Sequence, residues 1–451
     1  GPSATPTPTP TATPTSQGGA ATPTPTATSG APTGSLREVP RNRTLIRVGT
    51  GTTILNPDNH NPYAVGGFSR LRDWLTKTVY EFLYYYNHVT GEMIPWLATG
   101  YQYNNDFTEI TVNLRPGVKW ADGQPFTAND VAFTLNMLRE HPSLVFSADV
   151  KDWVKEVQVI DQQTVKIVLT RPNPRWFFLY MAENAEINIP ILPEHVWKDK
   201  DPETFTNFDL EKGWPLGTGP YKVVRSTTES VILDRRGNWW GAEVGFHEMP
   251  QVERFIRIPG GDDANIAVLF STNQVDFGYP LLPGTFQSAR QRNPNLIAWN
   301  KQGPIWGLGD ACLYTLGLNN KIKPFDDPEI RWAINHALDR DKIINLAYEG
   351  GTIKRVWPQV TFDGPAAKYE QQIQDLLDRY DVDDFDLQKT ADIMTRKGYR
   401  KDSEGFWVGT DGKRVQLTLQ TGDWLSPLGP VIEKQLRDAG FDAVFKLPAT
   451  G

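Results

Sequence analysis

Apolar positions in this chain alternate through much of the first half and recur at helical spacing in the second, which predicts a mixed α/β protein. Thr44-Leu-Ile-Arg-Val-Gly49 reads as a short strand. Ile110, Val112 and Leu114 share one face of an antiparallel patch. Val157 and Val159 share another, joined by Val165, Ile167 and Leu169 after the turn Asp161-Gln-Gln163. Between them, Thr127-Ala-Asn-Asp130 resembles a capping box and opens a helix carrying Val131, Leu135 and Leu138. Further on, Asp262 to Phe270 reads as one helix. Asp327, Pro328 and Glu329 supply an N-cap, a first-turn proline and an acid near the positive helix end. Ile330, Ile334, Ala337 and Leu338 follow on one face. A helix from about Asp341 stops at Gly350-Gly351, another ends at Gly440, and Phe441 to Leu447 reads as a strand. Strands and helices mixed without a strict βαβ repeat indicate an α/β assembly of more than one lobe.

The first 36 residues break this pattern. They hold eleven Thr and eight Pro, with no charge and no aromatic side chain. Such a segment cannot bury enough surface to offset its ordering entropy, so residues 1–40 are expected to form a disordered, extended linker. Its place before a folded domain favours a spacer that holds the domain off a cell surface over an inert tail. The chain opens at Gly1 without Met, signal peptide or lipobox cysteine, which reads as a mature or trimmed form.

Composition removes several function classes. Lys and Arg total 46 against 53 Asp and Glu, a net charge of -7, and no basic run offers a footprint for nucleic acid. No stretch approaches the ~20 apolar residues of a spanning helix. The single cysteine, Cys312, forbids an internal disulfide, and its setting from Asp310 to Leu318 reads as a buried strand. Gly409-Thr-Asp-Gly-Lys-Arg414 lacks the spacing of a phosphate loop, and Gly49-Thr-Gly51 lacks the third glycine of a dinucleotide fingerprint. No Gly-x-Ser-x-Gly elbow occurs. His60, His88, His141, His195, His247 and His336 are scattered, with no zinc pair at helical spacing. Asp381-Val-Asp-Asp-Phe-Asp386 lacks an EF-hand's glycine and terminal glutamate, and reads as a solvated turn. The chain is therefore expected to be no enzyme, with no metal and no cofactor. One enzyme class, a secreted glycoside hydrolase, survives on composition, because two carboxylates suffice for its chemistry.

A series of motifs in fixed order outweighs it. Pro95-Trp-Leu-Ala98, Phe107 to Trp120 with Leu114-Arg-Pro-Gly-Val-Lys-Trp120, and Ala121-Asp-Gly-Gln-Pro-Phe-Thr-Ala-Asn-Asp-Val131 come first. Gly217-Thr-Gly-Pro-Tyr221, Asn238-Trp-Trp240, Asn273-Gln-Val-Asp276 and Tyr314-Thr-Leu-Gly-Leu-Asn319 follow. Lys323 to Arg331 and Ala333-Ile-Asn-His-Ala-Leu-Asp-Arg340 complete the set. Together, over roughly residues 44–447, they resemble the family 5 extracellular solute-binding proteins of ABC importers. Physically most of these motifs are scaffold, with turns built on Gly and Pro and with Trp239 and Trp240 packing the lobe or one of them facing the cleft.

The resemblance implies a type II periplasmic-binding-protein-like fold of two lobes. Lobe one would span residues 41–258 with an inserted subdomain at about 76–213, the hinge crossing would lie near Arg257-Ile-Pro259, and lobe two would span 259–451. Relatives return to lobe one beyond this point, so the chain reads as C-terminally truncated, and the acidic residue that pairs with a peptide's amino group would lie in the missing part. Leu447-Pro-Ala-Thr-Gly451 matches a sortase signal without its apolar stretch and basic tail, and reads as chance. The implied ligand is an oligopeptide or, in some members, an oligosaccharide that fifteen tryptophans could stack against. Candidate contacts are Asn56 and Asn59 in the loop after the first strand, Trp74, Trp306 and Asp310 in the segment 303–310, and Trp424; Trp96 is also of interest. For each, a packing or turn role competes. The implied partners are a membrane permease and a separate ATPase, and the implied setting is extracytoplasmic, as a monomer lipid-anchored through the linker.

Overall fold

In the computed structural model, residues 36–49, 51–64, 74–183, 188–278, 281–307, 313–355, 369–422 and 425–447 are described, the side chains of 74–76 excepted. Asp310, Cys312 and Trp424 lie outside these residues, as does the side chain of Trp74. Most of the Thr/Pro tract falls outside them too. Leu36–Pro40, expected to belong to the linker, does not: Arg37 Nε donates to Asp234 Oδ2 at 3.2 Å and its Nη1 to Glu253 Oε2 at 3.0 Å. Asp234 is already held by Arg254 through bonds of 2.6 and 2.8 Å, so Arg37 completes a charged cluster and the folded body begins at Leu36.

The first sheet joins β1 (Thr44–Gly49), β9 (Tyr221–Ser226), β10 (Val231–Arg235), β11 (Arg254–Pro259) and β12 (Phe277–Gly278) in the order β12-β1-β11-β10-β9. β12, β1 and β11 are parallel, and β11, β10 and β9 antiparallel. Val48 and Ile46 turn toward Ile266 on helix α2 (Asp263–Ser271), whereas Leu45 and Phe255 face a larger aromatic core. The strand Arg254–Pro259 is thus not the chain's exit from this sheet. The chain passes through α2, capped by Asp262 on the amide of Asn265, and returns as β12 beside β1. Helix α3 (Pro283–Arg292) then packs on α2.

Between β1 and β9 lie the smaller sheets. β2 (Tyr84–Asn87) pairs with β3 (Glu92–Pro95) and β8 (Ala182–Glu183). β4 (Ala98–Tyr103), β5 (Glu109–Leu114), β6 (Val154–Asp161) and β7 (Thr164–Leu169) form a sheet in the order β4-β5-β7-β6. The alternation predicted this face: Ile110, Val112, Leu114, Val165, Ile167 and Leu169 are buried beneath α1 (Ala128–Glu140), whose Val131, Leu135 and Leu138 are fully buried. The capping box at Thr127 and Asp130 forms, with the Thr127 amide donating to Asp130 Oδ2 at 2.8 Å. Val159 departs from expectation and is 41% exposed. It sits on an edge strand with two register irregularities, after Val154 and after Val159, which rotate the alternation so that Val154 enters the core instead.

A separate core forms toward the C-terminus. Helices α4 (Pro328–His336), α5 (Arg340–Tyr348), α6 (Leu387–Arg396) and α7 (Leu428–Asp438) surround the parallel pair β15 (Gln416–Gln420) and β16 (Asp442–Lys446). A short hairpin, β13 (Arg400–Lys401) with β14 (Trp407–Val408), closes one side. Asp327 caps α4 through the Glu329 amide, as its spacing predicts. The buried strand expected at 310–318 is not found in its described part. Residues 313–318 form no strand, and Tyr314 and Leu316 are 55% and 37% exposed. An apolar run becomes a strand where a neighbour offers ladder bonds, and among the described residues β15 and β16 pair only with each other.

Candidate ligand-binding site

The parallel trio sets the geometry. β11 crosses through α2 to β12, which lies on the far side of β1, so the carboxyl ends of β1 and β11 come together where the connection changes side. In open α/β sheets such an edge is where ligands are bound. Here it is built of close backbone approaches. A Cβ on Gly260 would stand 2.5 Å from Val48 Cγ2, and one on Gly278 2.4 Å from Val48 Cγ1. Gly51 and Gly261 bridge across the edge, the Gly261 amide donating to Gly51 O at 2.8 Å.

The loop leaving β1 is held by hydrogen bonds to the segments beside it. The Ile54 amide donates to Thr228 O at 2.8 Å and the His60 amide to Thr206 O at 2.8 Å. Buried Asn61 donates to Pro202 O and Phe205 O, and Asn207 Nδ2 donates to the Tyr80 hydroxyl at 2.6 Å. Burial pushes the Tyr80 hydroxyl far above its usual range, so it stays protonated. Asn56 and Asn59 are brought together in this loop. Asn56 is exposed with a left-handed backbone (φ 47°), and Asn59 Oδ1 accepts the Asn61 amide at 3.0 Å. Asn59 Oδ1 thus supports the turn, and Asn56 is exposed beside it. Trp306 lies elsewhere, against α3: its ring is 5.1 Å from that of Phe286, with the Arg290 guanidinium 5.5 Å from it.

Sequence reasoning missed the most unusual group. Glu81 is fully buried and its carboxylate accepts three indole N–H groups, from Trp96 at 2.9 Å, Trp239 at 3.2 Å and Trp240 at 2.6 Å. Burial raises its pKa above the usual carboxylate range against the pull of the indole donors. Beside it, Gly219 donates to Val79 O at 2.9 Å, and Arg236 donates to Gly219 O at 2.8 Å. The Ala121 amide donates to Gly217 O at 3.0 Å. Pro95-Trp96, Ala121, Gly217-Thr-Gly-Pro220 and Trp239-Trp240 thus converge on one buried acid. The one available signal was an acid inside the apolar run Val79-Tyr-Glu-Phe-Leu83. Trp96 is committed to this hub, its other face stacked on His247 at 4.9 Å. Among the described residues no group of His, Cys, Asp or Glu is arranged to hold a metal ion, and no helix is long and apolar enough to cross a membrane.

An α/β sheet with an inserted subdomain, followed by a second core, defines a periplasmic-binding-protein-like architecture. The model of the bacterial extracellular solute-binding proteins, family 5 Middle, matches residues 92–449, and the chain belongs to this family of ABC-importer solute-binding components. Over 403 residues it is 25% identical to a glutathione-binding protein of Pectobacterium atrosepticum, covering 88% of this chain and 69% of that protein. A periplasmic oligopeptide-binding protein of an oligopeptide ABC transporter from Thermotoga maritima is similar with 25% identity and a TM-score of 0.72, over 90% of this chain and 73% of the other. The same Thermotoga maritima protein with mannohexaose bound is similar at 24% identity and a TM-score of 0.71, over 91% and 73%. Each of these relatives is named as a binding protein, the Thermotoga maritima one as part of an ABC transporter.

Proposed function

We propose that the chain captures a peptide-like solute at the carboxyl edge of β1 and β11 by closure of two lobes and delivers it to an ABC permease. The observation that carries this reading is the family match over residues 92–449. Glutathione-binding and oligopeptide-binding relatives support a peptide. Lobe one would run from Leu36 through α3, with the sheets between β1 and β9 as its inserted part, and lobe two would hold the core of α4 to α7. Ligand bridging the lobes would shift the population toward the closed form, and a separate ATPase would drive transport. The protein would act as a monomer outside the cytoplasm, tethered through residues 1–35 to a lipid anchor, and would turn over no substrate. Asn56 is retained as a ligand contact, with Trp74, Asp310 and Trp424 as further candidates.

Mannohexaose bound to the Thermotoga maritima protein supports a second reading, an oligosaccharide ligand. Calorimetric titration of the full chain with glutathione, tri-alanine, tetra-alanine and mannohexaose separates the two. The expected result is saturable 1:1 binding of at least one peptide and none of mannohexaose. Binding of mannohexaose alone would replace the peptide reading, and hydrolysis of any of the four would revive a glycosidase or peptidase.

A further inference from the structure

Helix α3 belongs to the first body, since it packs on α2 over β1. Its own sequence gives it no cap: Leu282 at the N-cap has no side-chain acceptor, and Pro283 at the first position has no N–H. The exposed donor of the first turn, the Gly284 amide, is taken instead by Glu349, 65 residues later, at 2.8 Å to Oε2. Glu349 is the C-cap of α5, which packs on α7 in the second body. A carboxylate from one body thus sits at the positive end of a helix in the other, where the helix dipole favours it.

The backbone is shaped for this contact. Glu349 adopts a left-handed conformation (φ 52°, ψ 33°), which a residue with a Cβ rarely takes. Gly350 follows directly at φ 74°, so the helix had a glycine beside the position and placed an acid there. Observed backbone strain of this kind points to a role for the side chain that the strain presents. Two further contacts grip the same helix. A Cβ on Gly351 would stand 2.6 Å from Pro283 Cγ, so the second body meets the first turn of α3 without space between them. Trp306 lies on Phe286 and Arg290 of α3, and its loop is closed by Asn300 Nδ2 donating to Ile305 O and Gly307 O. Pro304 of that loop in turn approaches Gly350, whose Cβ would stand 3.5 Å from its ring.

We propose that Glu349 is a positioning residue: its carboxylate on the first turn of α3 fixes the angle between the two bodies and thereby sets ligand affinity. The proposal rests on the reading above that solute binds between them. A chain crossing alone permits rotation without preferring an angle, and a side-chain oxygen accepting the Gly284 amide at a helix end supplies that preference. Trp306 then serves the joint rather than the ligand, which explains why its ring is committed to α3. When only a fraction of molecules holds the binding-competent angle, apparent affinity falls by that fraction.

The test places spin labels at Lys222→Cys in the first body and Lys413→Cys in the second, in a Cys312→Ser background, and measures the inter-label distance distribution. Glu349→Ala is expected to broaden the distribution and to weaken binding of glutathione or tetra-alanine about tenfold. Glu349→Gln, which keeps an acceptor oxygen, is expected to hold the wild-type distribution and to stay within about threefold in affinity. An unchanged distribution in Glu349→Ala would overturn the proposal, as would a loss confined to the unfolding midpoint. If the unsubstituted chain binds neither peptide, the ligand reading fails while the distance measurement still decides the role of Glu349.

Discussion

Glu81→Ala is expected to destabilise the protein by about 3–5 kcal/mol, the range seen when one member of a buried charged constellation is removed. The loss does not come from a missing contact alone. Three indole N–H groups would remain buried with no acceptor, each costing ~1–3 kcal/mol before relaxation. Water cannot easily repair this, because Trp239 and Trp240 are 3% and 1% exposed. Glu81→Gln is expected to do less harm, since its single oxygen still serves part of the cage, and it isolates the charge. The sign of the pH effect follows from the raised pKa. A native state that binds this proton more tightly than the unfolded chain has its extra stability below the ordinary value of 4.5, and loses it as pH rises through the folded pKa. Denaturant unfolding of both proteins above pH 4.5 should therefore show the wild type losing ground relative to Glu81→Gln. Parallel curves would mean that Glu81 is ionised at no net cost, with the indoles and Arg236 compensating its burial.

Gly219→Ala and Gly217→Ala are expected to be at least as damaging, at more than about 3 kcal/mol, because the obstruction is backbone. A Cβ at Gly219 would lie 2.2 Å from Thr78 O, and one at Gly217 1.9 Å from Val79 O. No rotamer change relieves a contact with a carbonyl that is itself hydrogen-bonded, as Val79 O is to the Gly219 amide. Arg236 grips the same turn from the other side, so the turn cannot retreat without losing that bond as well. Gly237→Ala serves as control: nothing stands within 4 Å of its Cβ position, and the change is expected to stay within about 0.5 kcal/mol. Thermal and denaturant unfolding of the three variants give the comparison directly. A Gly219→Ala protein as stable as the control would mean that strands β9 and α-helical segment 74–79 are not packed as tightly as described.

Features set by near neighbours were legible in the sequence. The caps at Thr127 and Asp327 need only the next three residues, and the alternation of β5 and β7 needs only a sheet with one buried face. The family motifs were legible as well, and for those carrying Trp96, Gly217-Thr-Gly219 and Trp239-Trp240 the structure gives a physical reason, since they meet around Glu81. What escaped depends on distant partners. Val159 fails because β6 is an edge strand with bulges, and Tyr314 and Leu316 are apolar but find no strand to pair with. Arg37 reads as linker until Asp234 and Glu253 are placed beside it. Local partners also shape the candidate contacts: Asn59 Oδ1 accepts the Asn61 amide within its own turn, and the Trp306 ring lies against Phe286 and Arg290 of α3. A side chain's type states what it can bind, and only its neighbours state whether that capacity is already used.

The central claim is that the chain closes around a solute, and small-angle X-ray scattering of the full chain with and without a peptide bound in calorimetry tests it most directly. The account predicts a smaller radius of gyration at saturation and a return to the starting value when the peptide is dialysed away. An unchanged radius with the peptide demonstrably bound would contradict it, and would mean that the solute occupies a preformed pocket in a single rigid body.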